Sequence, residues 1–228
     1  LSLIYMMFTS SKIAEQNKLW TGMAKETAHQ IGTPLSSLLG WIAILKMENV
    51  NDKYVNEIEK DVHRLNTIAN RFSKIGSLPK LKKSDIISAT KNAYEYLEFR
   101  SSKQISFKFI SNEKELFCNL NEELYEWVIE NLIKNAIDAM LGKGKLTLSI
   151  TSENNKVILN ISDTGKGMSK SQFRKIFDPG FTTKKRGWGL GLSLSQRIIE
   201  DYHTGKIIVK SSEVNKGTTF QIILDKVT

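Results

Sequence analysis

"NEELYEWVIENLIKNAIDAM", residues 121–140, decides how the C-terminal part of this chain is read. It predicts one long helix, opened by an Asn121 cap and ended near Gly142. Asn131 and Asn135 stand four residues apart, so their amides project the same way from the helix. An Asn oxygen holds Mg²⁺ without neutralising it, leaving charge for phosphates to complete. Paired Asn also cap helices or bond nearby backbone, and the spacing alone does not choose between these roles.

The sequence around this helix mixes periods. Ser84 to Phe99 predicts a helix with Ser84 as its cap, and "ISFKFI" (105–110) alternates like a strand. "KLTLSITS" (145–152) and "KVILNISD" (156–163) predict two strands joined by "ENN", a hairpin signal. A helix over about 190–202 and the strands "GKIIVKS" and "GTTFQIIL" complete the part. The order implies an α+β fold, an α/β sandwich with helices on one face of a mixed sheet. There is no internal repeat and no low-complexity tract.

Three further motifs lie in this part. "DTGKGM" (163–168) follows a strand directly; Gly165 and Gly167 let the backbone turn tightly against a ligand, and the Asp163 carboxylate suits the exocyclic amine of adenine. By itself the motif is no more than an Asx turn. "FDPGFTTKK" (177–185) brackets a turn with Phe177 and Phe181, either a lid whose rings dock with nucleotide or a surface loop pinned by two apolar anchors. "RGWGLGL" (186–192) places Gly187, Gly189 and Gly191 before a helix, where backbone N–H groups suit phosphate. No strand immediately precedes it, so it is not a dinucleotide fingerprint, and it lacks the Lys-Ser/Thr of a P-loop.

The first part reads as two helices. Ala24, Ala28, Ile31, Leu35, Leu38, Ile42 and Leu45 form a seam with alternating spacings of four and three, and Val55, Ile58, Val62, Leu65, Ala69 and Phe72 form a second. "MENVNDK" (47–53) joins them as a turn, giving an antiparallel hairpin. One hairpin cannot cover both seams, and a second copy would complete a four-helix bundle. "GSLPKLKKS" (76–84) reads as a linker. Within "AKETAHQIGTPLSSLLGW" (24–41), Gly32 and Pro34 bend the first helix one turn after His29. That bend would carry a penalty of about 1 kcal/mol for Gly and 3 for Pro in a helix interior.

Composition narrows the class. The chain has 228 residues, a formal charge of +9 and 40% hydrophobic content, an ordinary globular balance. The charge favours an anionic partner. Many of the basic residues fall within Lys166–Arg186, and no DNA-reading motif accompanies them, so nucleic acid is not an expected partner. Cys118 is the only cysteine, which excludes an internal disulfide and a thiolate cluster. The sequence starts at Leu1, not Met, which suggests a piece of a longer protein. "LSLIYMMF" (1–8) is too short to cross a bilayer and suits the end of a membrane helix or the start of a coiled coil.

The four motifs in this order, followed by "KGTTF" (216–220), closely resemble the N, G1, F and G2 boxes of the GHKL ATP-binding domain. Joined to the hairpin carrying His29, they resemble the catalytic core of a bacterial sensor histidine kinase over roughly residues 15–228. The resemblance implies a dimeric four-helix phosphotransfer bundle and a sandwich binding ATP and Mg²⁺. It implies Asn135 as the principal Mg²⁺ ligand with Asn131 supporting. Asp163 would read adenine beside Gly165 and Gly167, with Thr218 buttressing it. Phe177, Phe181, Thr182, Thr183 and Lys184 would line the nucleotide, and Gly187, Gly189, Leu190, Gly191 and Leu192 its triphosphate. His29 would accept phosphate, aided by Gln30, and Thr33 would orient water during dephosphorylation of a partner.

The implied layout is a signal-transmitting helix or membrane-segment end over 1–12, a dimerisation and phosphotransfer hairpin over 13–76, a linker over 77–84 and an ATP-binding domain over 85–228. The implied partners are a second copy and the receiver domain of a response regulator. The full-length protein is expected to be anchored at the inner face of a bacterial cell membrane, with this part cytoplasmic. Two departures stand out. Gln30 replaces the acidic residue that usually follows the phosphoacceptor, and Asn131 stands where water-hydrolysing GHKL relatives carry Glu. The latter disfavours the rival reading as an ATP-driven clamp, and the intact glycines disfavour a third, a degenerate docking module. His203 is expected to sit at a helix end, favoured by the dipole.

Overall fold

A computed structural model describes residues 31, 34–48, 52–75, 79–184 and 189–227. His29, Gln30, Thr33 and Gly187 lie outside the described residues, as do Ala24, Ala28 and Gly32. The chain divides into two compact units, the division falling between Pro79 and Lys80.

The first unit pairs helix α1 (residues 34–47) with α2 (Asp52–Ile75). Leu35 and Ile42 on α1 pack with Val55, Val62 and Ala69 on α2, each set repeating every seven residues. Only this half of the predicted seams is buried. Leu38, Ile58 and Leu65 remain 41%, 45% and 47% exposed. The second row of the α1 seam is only partly covered, with Ile31 and Leu45 packed partly buried against the cluster. Lys46 and Glu59 bridge the helices at 2.7 Å.

The second unit begins with strand β1 (Lys82–Asp85), which pairs antiparallel with β3 (Phe117–Leu120). The linker expected over 77–84 therefore ends earlier, and Ser84 lies in a strand instead of capping a helix. The cap of α3 (Ile86–Arg100) is Asp85, whose carboxylate accepts the Ile87 and Ser88 N–H groups at 3.2 and 3.1 Å. Asp85 also accepts the Leu116 N–H at 3.0 Å, a tertiary contact that one-dimensional spacing does not register.

The remaining strands are β2 (Ile105–Ser111), β4 (Gly144–Glu153), β5 (Lys156–Asp163), β6 (Lys206–Glu213) and β7 (Gly217–Asp225). They form one sheet in the order β2-β4-β5-β7-β6, with β2 and β4 parallel and the other pairs antiparallel. Asn154 and Asn155 turn the β4–β5 hairpin with φ of 49° and 61°, the two left-handed residues of a type I′ turn.

Helix α4 (Glu122–Ala139) covers this sheet, packing against β4, β5 and β7. Its Asn121 cap accepts the Leu124 N–H at 3.2 Å, as expected, and Glu122 and Glu123 favour the positive end of its dipole. Tyr125, Ile129, Leu132 and Ile133 share one core with the cross-strand row Leu148–Ile161–Phe220–Val209, and all eight are buried. Each such side chain contributes about 1.5–3 kcal/mol by leaving water. Helix α5 (Gln172–Lys175) is a single turn, and α6 (Gly191–Arg197) continues into a π-helical turn, Ile198–Tyr202.

Candidate functional site

The site is built where β5 ends against the C-terminus of α4. Asp163, the last residue of β5, is 8% exposed, and its Oδ1 accepts the Gly165 N–H at 2.8 Å. Burial raises its carboxyl above the ordinary value, opposed by backbone hydrogen bonds from Gly165 and Thr218. Gly165 lies on the last turn of α4; a Cβ there would come within 2.6 Å of the Ala139 carbonyl. That carbonyl accepts the Lys166 N–H at 3.0 Å, so a helix-end acceptor is satisfied by the loop. Gly167 has φ +59°, and a Cβ on it would fall on the Glu213 carbonyl oxygen. The loop is thus clamped between α4 and the β6–β7 hairpin.

Thr218 supports Asp163, through its backbone N–H. Its buried hydroxyl instead pairs with Ser212 Oγ at 2.9 Å, which in turn donates to the Gly217 carbonyl at 3.0 Å.

Asn131 and Asn135 do not share a partner. Asn135 Oδ1 accepts a hydrogen bond from Lys184 Nζ at 2.8 Å, and Asp138 Oδ2 binds the same ammonium at 2.6 Å. Two oxygen donors one helical turn apart therefore converge on one cation, the donor chemistry a hard divalent ion requires. Asn131 Nδ2 donates to Ser195 Oγ at 2.8 Å, tying α4 to α6. Asp138 and Ser195 were missed by sequence reasoning. Asp138 sits three residues after Asn135, a helical-neighbour spacing that could have flagged it; nothing local marks Ser195.

The segment 177–184 rests on this frame. Phe177 is a core residue, meeting Phe220 edge-on at 6.5 Å, and Phe181 packs partly buried against the same core. Both rings anchor this segment on the core, the second of the two readings that its sequence allows. Thr182 Oγ1 accepts the Lys184 N–H at 3.1 Å, and Thr183 Oγ1 accepts Lys166 Nζ at 3.0 Å. Gly180 and Gly189, with φ of 85° and 66°, approach backbone to backbone, the Gly180 N–H meeting the Gly189 carbonyl at 3.1 Å. Leu190 caps α6 without a side-chain hydrogen bond, and Leu192 packs partly buried on the core.

The description "Histidine kinase-, DNA gyrase B-, and HSP90-like ATPase" belongs to the family that matches residues 121–228, and "His Kinase A (phospho-acceptor) domain" to the one that matches 20–78. The catalytic domain of histidine kinase ThkA, a solved structure, is 31% identical, with 65% of this chain and 97% of that one covered and a TM-score of 0.60. The chain belongs to the sensor histidine kinases.

Within this family, Bacillus subtilis sporulation kinase E is 30% identical over 89% of the chain, which spans 28% of that relative's length. ThkA in complex with the response regulator protein TrrA covers all of this chain and 68% of that one, at 27% identity and a TM-score of 0.62. The ATPase family match falls within the second unit, and the phosphoacceptor family match falls on the first. No helix among the described residues is long and apolar enough to cross a membrane.

His203 sits at a helix end as expected, capping the turn Ile198–Tyr202, but in the core and not at the surface. It is 4% exposed; its Nε2 accepts the Asn121 N–H at 3.0 Å and its Nδ1 meets the Ile198 carbonyl at 2.8 Å. An accepting Nε2 leaves the proton on Nδ1, so the ring is neutral. Burial pushes its pKa down, opposed by these hydrogen bonds. The helix-end position holds; the dipole rationale does not, because the ring is a neutral clip between the N-terminus of α4 and the turn following α6.

Proposed function

We propose that this chain is the catalytic core of an ATP-dependent protein histidine kinase that phosphorylates its own His29 and passes the phosphate to an aspartate of a response regulator. The observation that carries the reading is the buried Asp163 at the end of β5, together with an Asn135 oxygen on α4 that already shares a cation with Asp138. Asp163 accepts the adenine amine, held by the Gly165 and Thr218 N–H groups. Asn135 would hold Mg²⁺, which would supply charge stabilisation to the phosphates. Lys184 is exposed, its surface pairing is worth about 0–1 kcal/mol, and it gives way readily to the metal. Gly187, Gly189 and Gly191 line the triphosphate.

Phosphoryl transfer is mainly positioning and charge stabilisation, which these groups provide. A neutral His29 imidazole acts as nucleophile. Gln30 accepts the Nδ1–H and fixes the tautomer, but it cannot take a proton. General-base assistance is typically worth about 10²–10⁴-fold, so a slow intrinsic rate is expected. Thr33 orients water against a regulator's phosphoaspartate. The half-exposed Leu38, Ile58 and Leu65 are covered by a second copy, making residues 13–76 a dimeric bundle. The full-length protein is membrane-anchored at the inner face, with this core cytoplasmic.

The test is incubation with γ-labelled ATP and Mg²⁺. Acid-labile label is expected on the wild type and absent from His29→Ala; label retained by His29→Ala would overturn the assignment.

A further inference from the structure

We infer that Ser195 is a positioning residue that sets which end of the Asn131 carboxamide faces the glycine-rich turn opening α6; the inference rests on the nucleotide-binding reading above. A serine hydroxyl carries one proton. Ser195 Oγ donates it to the Gly191 carbonyl at 2.9 Å. Toward Asn131 the hydroxyl can then only accept, and it accepts from Nδ2 at 2.8 Å. Ser195 is 2% exposed, so the pairing is sheltered from competing water.

With its nitrogen committed, the Asn131 amide has one orientation, and Oδ1 faces Gly191. A Cβ on Gly191 would lie 2.6 Å from that oxygen and 3.0 Å from Nδ2, so the oxygen is the nearer end. Gly191 is helical, so its lack of a side chain answers a demand for space and not for a left-handed backbone. Three groups form one relay: Asn131 donates to Ser195, Ser195 donates to the Gly191 carbonyl, and the missing side chain of Gly191 leaves room beside it for the amide oxygen. The relay presents an acceptor, suited to a metal ion, where α4 meets the first turn of α6. Reversed, the amide would present an N–H₂ group, which repels a cation. Ser195 thereby sets the metal dependence of nucleotide binding without touching the nucleotide.

The experiment uses the whole chain, labelled with ¹⁵N, as wild type, Ser195→Ala and Ser195→Thr. ADP affinity is measured calorimetrically with and without Mg²⁺, and exchange of the Asn131 side-chain N–H₂ is followed in nucleotide-free protein. In Ser195→Ala the gain in ADP affinity conferred by Mg²⁺ is expected to fall roughly fivefold, as for loss of one buried hydrogen bond. Metal-free affinity should change by less than about twofold, and Asn131 N–H₂ exchange should accelerate. Ser195→Thr, keeping the hydroxyl, should restore both; if the added methyl prevents folding, the alanine ratio and the Asn131 signal decide. Equal weakening with and without Mg²⁺, or unchanged Asn131 exchange, would overturn the inference while leaving nucleotide binding intact. A wild type that binds no nucleotide would overturn the nucleotide reading, and this inference with it.

Discussion

Replacing His203 by leucine tests the neutral clip between α4 and the turn after α6. Leucine fills a similar volume but accepts no hydrogen bond. The Ile198 carbonyl keeps the backbone N–H of residue 203, at 3.2 Å, so the loss falls on the Asn121 N–H alone. A buried donor left unsatisfied costs about 1–3 kcal/mol. In a unit of this size each kcal/mol moves Tm by roughly 2–4 °C, so a loss of about 2–12 °C is expected near pH 7.5. The pH dependence separates this from generic packing damage. The folded-state pKa of His203 is depressed by burial. Its contribution is therefore complete above the unfolded value, about 6.5, and is lost as pH falls through that value toward the folded one. The slope is at most about 1.4 kcal/mol per pH unit. The leucine variant lacks this dependence, so the two proteins should differ most at pH 7.5 and converge on acidification. Urea titrations at pH 7.5, 6.5 and 5.5, followed by NMR of the amides of Val128–Ile133, report the second unit specifically. A difference that stays constant across the three pH values, or no loss at pH 7.5, would refute the neutral-acceptor reasoning.

Gly167→Ala should destabilise the second unit by about 1–3 kcal/mol from left-handed strain alone, and by more because its Cβ meets the Glu213 carbonyl; thermal unfolding measures it. Leu38→Lys with Leu65→Lys should leave the hairpin helical by circular dichroism, because both positions are half-exposed within one chain. Burying those charges in a bundle would cost several kcal/mol, so sedimentation should show a monomer for this variant and a dimer for the wild type. Asp163→Asn should weaken ADP binding and abolish its acid dependence. Because burial raises the Asp163 carboxyl, wild-type affinity should begin to fall at a higher pH than an ordinary carboxylate would allow, as calorimetry across pH can establish.

Much of the fold was legible in local pattern. Alternation marked β4, β5 and β7, the Asn121 cap marked the start of α4, and paired seams marked the hairpin. Strands β1 and β3 were not legible: each has four residues, and "KKSD" buries only Ser84, too short an alternation to register. The candidate site was legible as a set of motifs in order, which placed Asp163, Gly165 and Gly167 at one strand end. The roles within it were less so. Phe177 reads like a loop aromatic because its neighbours are Asp, Pro and Gly, yet it lies against Phe220, distant in sequence.

By itself the sequence determined the longer elements, their order and the chemical types available at the site, because helix and strand periods, caps and turn residues act over a few positions. Only the tertiary structure decided which half of each heptad seam closes within the hairpin, that Asp85 and not Ser84 caps α3, that His203 is neutral, and that Asn131 answers to Ser195, 64 positions away. Those outcomes depend on how many donors, acceptors and apolar surfaces meet at one point. A hydroxyl with one proton, a ring with one accepting nitrogen or a glycine with no Cβ takes its meaning from neighbours that the chain brings together only once the sheet has closed under α4.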